Sequence, residues 1–91
     1  MLLECNISRD DLKIVLLKCV GSRYPTRIVC ANQEEKSVYI RGFEDADCNV
    51  LLLSDAEQDQ PCPLPLSEIK RVETIKIISY DRARSRIFNV N

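Results

Sequence analysis

Chemistry at neutral pH needs side chains that ionise, ligate or attack, and this chain holds a narrow stock of them. None of its 91 residues is His, which removes the commonest general base and both the Ser-His and Cys-His nucleophile pairs. Catalysis would have to rest on carboxylates, Lys or Cys. The five cysteines, Cys5, Cys19, Cys30, Cys48 and Cys62, are odd in number and form no C-x-x-C pair, so neither a complete disulfide framework nor the usual Cys/His zinc set is expected. Cys19 and Cys30 lie in apolar segments and read as small buried hydrophobes. Cys48 and Cys62 read as more exposed, with no neighbouring base to lower their pKa. Glu44, Asp45 and Asp47 lack the spacing of a calcium loop and read as a solvated turn. With only Gly21 and Gly42 in the chain, no glycine-rich phosphate cradle can form. The expectation is a protein that is not an enzyme and uses no cofactor and no metal.

The basic residues are the sharpest feature. The chain carries a net charge of −1, with 13 Lys/Arg and 14 Asp/Glu. Residues 1–65 hold seven basic and eleven acidic groups, a net −4, and residues 66–91 hold six and three, a net +3. Lys70, Arg71, Lys76, Arg82, Arg84 and Arg86 make up that basic tail. In an extended segment Arg82, Arg84 and Arg86 all project to one side, where guanidinium groups can pair with phosphate or carboxylate. The competing reading is a solvated strand edge whose charges discourage edge-to-edge pairing. Tyr39, Arg41 and Phe43 alternate on an earlier strand and suggest a basic-aromatic stripe of the kind that stacks on bases. Core packing would use the same aromatics, and a sequence pI near 5.4 favours only weak nucleic-acid binding.

These residues need elements to hold them. Ser8-Arg9-Asp10-Asp11 reads as a helix start, with Ser8 as cap and acidic groups in the first turn. Leu12, Val15, Leu16, Cys19 and Val20 recur at helical spacing, and Gly21 is a plausible stop, which predicts a helix over residues 9–20. A strand through Lys13 to Val20 competes, because the run is dense in β-branched residues. Strands are predicted for residues 26–31, 37–43, 50–53 and 74–80, with a last short strand over 86–90. Gly42 marks a bulge or sharp bend. Residues 44–49, 55–60 and 81–85 read as turns or loops, and residues 66–73 fit either a helical turn or the end of a strand. Pro61, Pro63 and Pro65 each lack a ladder donor, which places their segment at a sheet edge.

The longest apolar runs, Ile14 to Leu17 and Val50 to Leu53, are far shorter than the roughly 18 residues needed to cross a bilayer, and no secretory signal is visible at the start. A cytoplasmic location without membrane attachment follows as the expectation. The length suits one domain over residues 1–91. Short strands with frequent turns plus one helix predict a mainly β (α+β) fold. The first choice is a small, partly open SH3-like or Sm-like barrel of five or six antiparallel strands preceded by the helix. An open α+β sheet with the helix on one face is the second.

Val38-Tyr39-Ile40, followed by Pro65-Leu66-Ser67-Glu68-Ile69-Lys70-Arg71-Val72, resembles the WYL-type domains of bacterial transcription regulators, which are helix-plus-barrel modules. Tyr39 would match the family tyrosine, and Leu66 and Ile69 the apolar frame of a later Leu-Asp-Arg-Ile segment. Val38 stands where Trp is typical, and Ser67-Glu68 replaces the Asp-Arg pair. The chain is similar in the same way to Rho-inhibiting antiterminator proteins. Both resemblances imply a regulatory binding module without catalysis, acting in transcription or RNA metabolism. The expected partner is a protein or, weakly, a nucleic acid, bound through Tyr39, Arg41, Phe43, Lys70, Arg71, Arg82, Arg84 and Arg86. The alternative is a structural small-barrel protein whose Val50–Leu53 strand or final strand pairs with a second copy.

Overall fold

The computed structural model describes residues 2–55, 60–79 and 82–91, and side chains over 3–55, 60–75 and 85–91. Its helix, α1, spans Arg9–Cys19, which settles the choice between helix and strand for this run. The Ser8 hydroxyl accepts from the Asp11 amide at 3.2 Å, and the Ser8 carbonyl accepts from the Leu12 amide at 3.0 Å, so two first-turn donors are satisfied. Asp10 and Asp11 in the first turn and Lys18 in the last both oppose the helix dipole. After Val20 the chain leaves through Gly21 at φ +77°, a left-handed conformation that glycine adopts without strain.

A strand the sequence reading did not assign, β1 (Leu2–Ile7), precedes this helix. The remaining strands are β2 (Thr26–Cys30), β3 (Glu35–Phe43), β4 (Val50–Ser54), β5 (Cys62–Pro65), β6 (Ile69–Ser79) and β7 (Arg82–Val90). They form one sheet of seven strands in the order β1-β7-β6-β2-β3-β4-β5. The sheet is open, with β1 and β5 as its edges, so it matches the second architecture considered from sequence in its single-sided helix and lack of closure. β7 lies parallel to β1 and antiparallel to β6. The alternating prolines behave as expected: β5 is an edge strand, with Pro63 opposite Leu52 and Pro65 opposite Val50.

Several boundaries differ from expectation, among them the start of β3 at Glu35 rather than residue 37. Residues 82–85 are strand rather than turn, because β6 is 11 residues long and its ladder with β7 continues out to Ser79 opposite Arg82. The ambiguous segment after Pro65 is both things in succession, a 3-10 turn over Leu66–Glu68 and then the start of β6. Arg9 holds that turn to the helix: Nη2 donates to the Ser67 carbonyl at 3.1 Å, and Nη1 donates to the carbonyls of Leu66 and Ile69. The predicted loop over 55–60 falls largely outside the described residues, as does Tyr80.

The core gathers Leu12 and Leu16 of α1 with Ile28, Val38, Ile40, Leu51, Leu53, Leu64, Leu66, Ile69 and Val72. Leu12 and Leu16 are 0% exposed, whereas Ile14 and Leu17 are 53% and 52% exposed, so one stripe of the helix does the packing. Truncating Leu16 to Ala removes several buried methyl and methylene groups and is expected to cost about 2–5 kcal/mol. Ile14→Ala should stay within about 0.5 kcal/mol. Urea unfolding of the two variants measures the contrast.

Candidate functional site

The proposed stripe on β3 does not survive folding intact. The β3–β4 ladder pairs Ile40 with Leu53 and then Gly42 with Leu52, skipping Arg41. Gly42 takes φ +140°, as expected at a bulge. The extra residue reverses the alternation, so Phe43, three positions after the buried Ile40, also packs against the core. Tyr39 is half-buried and Arg41 exposed. Arg41 Nε donates to the Ser54 hydroxyl at 2.9 Å, which ties that guanidinium back to the neighbouring strand. A Tyr-Arg pair remains, without the second aromatic.

A matching bulge governs the basic segment. The β2–β6 ladder pairs Val29 with Arg71 and Cys30 with Ile69, skipping Lys70. Ile69 and Val72 are both 0% exposed although three apart, so Lys70 and Arg71 both leave the core side. Lys70 is exposed and Arg71 half-buried. On that outer face Arg71 stands opposite Asn89. One ladder step away Arg27 and Glu73 are paired with an ion contact of 3.7 Å. Asn89 Nδ2 donates to Glu4 Oε1 at 2.8 Å. Arg71 Nε is shielded from solvent, and no group among the described residues bonds to it.

Arg86 belongs to the other face. Its ladder partners are Thr74 on β6 and Leu3 on β1, and it sits two positions before Phe88, which pairs with the buried Val72. Arg86 therefore lies on the helix side and Arg71 on the opposite side, and one surface cannot use both. Nor is β7 an edge, because β1 occupies its far side; the expected basic sheet edge is an interior strand. Arg82 pairs with Ser79 and Arg84 with Lys76 along the backbone, and the side chains of Arg82, Arg84 and Lys76 lie outside those described. Arg27, which the sequence reading passed over, joins the outer face. Its alternation with Ile28 in the strand Thr26–Cys30 carried that signal.

Of the acidic turn residues, Asp45 has a structural role. Asp45 Oδ1 accepts from the amides of Asn49 at 2.9 Å and Val50 at 3.1 Å, so this carboxylate shapes the turn. Among the described residues no group of three or more His, Cys, Asp or Glu is placed to hold a metal ion, and no helix is long and apolar enough to cross a membrane. Cys30 is buried and Cys19 half-buried, while Cys5 and Cys62 are exposed; Cys48 is intermediate. Burial pushes the Cys19 thiol above its ordinary pKa of 9.0, partly offset by a hydrogen bond with Thr26.

No protein-family model, no curated protein and no solved structure matches the chain.

Thiol reactivity checks this placement. Because burial holds the Cys19 proton more tightly than in a solvated thiol, its thiolate fraction at a given pH is lower, and the thiolate is the reactive form. Iodoacetamide labelling near neutral pH, followed by peptide mapping, should modify Cys5 and Cys62 first, Cys19 more slowly, and Cys30 only on unfolding.

Proposed function

We propose that this chain is a non-catalytic regulatory binding module that takes an anionic partner, an acidic protein segment or a nucleic-acid strand, on the outer face of its sheet. The observation that carries this reading is the Lys70–Arg71 pair. The bulge in β6 sets both residues off the core side, next to Arg27, and leaves Arg71 Nε without a partner among the described residues. Lys70 is exposed and Arg71 half-buried, so the charge of the pair is open to a carboxylate or phosphate that approaches from solvent. The unit from β2 to β6, a meander that ends in a 3-10 turn with its last strand returning beside its first, supports likening the chain to SH3-like and Sm-like modules. That likeness, with the resemblance to WYL-type and antiterminator domains, is the basis for placing it in cytoplasmic transcription or RNA metabolism.

Anisotropy titrations of labelled RNA, single-stranded DNA and polyglutamate, from about 20 mM to 200 mM salt, test the reading. Binding should weaken as salt rises, and K70Q/R71Q should flatten the log–log slope for nucleic acid by roughly one for each phosphate that the variant no longer neutralises. Absence of salt-sensitive binding to all three polyanions at the lowest salt overturns it.

The second reading is self-association, favoured by the open edge of β1. The strand carries no proline and exposes Leu3 by 42%, whereas the other edge, β5, is blunted by Pro63 and Pro65. The two strands first suggested for pairing, Val50–Leu53 and the final strand, have neighbours on both sides, so association falls to β1. Sedimentation at micromolar concentration should give a dimer that Leu3→Lys converts to monomer, and a wild-type monomer removes this reading.

A further inference from the structure

A groove of about 600 Å³ runs between the C-terminal half of α1 with the segment after it and the helix-side face of β6 and β7. Its apolar lining includes Val15, Cys19, Tyr24 and Phe88, and its charged lining consists of Lys18 and Arg86. The remaining lining residues, Ser22, Pro25, Thr26, Thr74 and Ile75, carry no charge, so two cations face the space with no carboxylate among its lining residues. Arg86 Nε is cut off from solvent, and no group among the described residues accepts its hydrogen bond. Arg86 as a whole is half-buried and lines the groove, so its positive charge is less screened there than in bulk water. Thr26 is 3% exposed while Tyr24 is 42% exposed, so the groove has a closed floor and an aromatic rim. The volume falls within the range of about 300–1,000 Å³ typical of small-molecule sites.

We propose that this groove binds a small amphipathic organic anion, with the carboxylate, sulfonate or phosphate head on Arg86 and Lys18 and the apolar body against Val15, Tyr24 and Phe88. Charge complementarity selects this occupant. A neutral apolar molecule would leave the Lys18 and Arg86 charges without a counter-ion, and a cation would be repelled by both. The site is distinct from the outer face, because Arg86 and Arg71 stand on opposite sides of the sheet. A ligand here would bridge α1 to the β6–β7 hairpin and stabilise the fold by mass action.

Paired probes of similar shape test the assignment with the full chain. Anilinonaphthalene sulfonate should bind saturably at one site, and the uncharged phenylnaphthylamine at least about tenfold more weakly, a difference of about 1.4 kcal/mol. Arg86→Gln should weaken the sulfonate about tenfold and leave the neutral probe unchanged, while K70Q/R71Q should change neither. A second measurement needs no variant: saturating decanoate should slow alkylation of Cys19 and leave Cys62 unaffected, and decanol should protect far less. Equal affinity for the two probes, a folded Arg86→Gln protein with wild-type sulfonate binding, or Cys19 labelling indifferent to decanoate would each overturn the proposal. Loss of polyanion binding by K70Q/R71Q bears only on the outer face.

Discussion

One helix of 11 residues covers one side of a sheet of seven strands, and that mismatch in width governs the molecule. Strands spaced about 4.8 Å apart make such a sheet roughly 29 Å across, whereas a helix with its side chains is about 10 Å wide. Flat, the sheet would leave most of its inner face wet. The core instead runs from Ile69 and Val72 through Ile28, Val38 and Ile40 to Leu51, Leu53 and Leu64, which requires the sheet to bend around Leu12 and Leu16. Where α1 ends at Cys19 the cover stops, and the helix-side face of β6 and β7 borders a groove.

Of the three register breaks among the described residues of the sheet, those in β3 and near the start of β6 place a cation at the skipped position, Arg41 and Lys70, while the third skips Ile78. The common physical cause is the strict two-residue alternation of a strand, which an extra residue reverses. Ile40 and Phe43, like Ile69 and Val72, reach the same core although three apart. A long cationic side chain suits the displaced position, since it reaches solvent or folds back onto a neighbour, as Arg41 does onto Ser54.

The bulges also sort the charges. Arg27, Lys70 and Arg71 collect on the outer face, where Glu73 and Glu4 neutralise part of the field. Arg86 lies across the sheet with Lys18. A linear sequence that looks like a single basic tail is therefore divided between two surfaces with different surroundings, one open and shared with carboxylates, the other concave and free of them among its lining residues.

Local signals were legible without coordinates. Ser8 and Gly21 bracket the helix because capping and left-handed backbone are short-range requirements; the alternate prolines forced β5 to an edge because they lack donors; and Gly42 announced its bulge. The mainly β character followed from β-branched alternation in β2, β3 and β6. What depended on long-range pairing was not legible. β1, Leu2–Ile7, lacks the β-branched alternation of β2 and β3, and it becomes a strand through its ladder with β7, more than 80 positions away. The extension of β7 back to Arg82 depends likewise on the length of β6. The face each arginine occupies was beyond reach, since alternation assigns sides only while register is unbroken, and the places where register breaks are set by how the sheet must curve over its single helix.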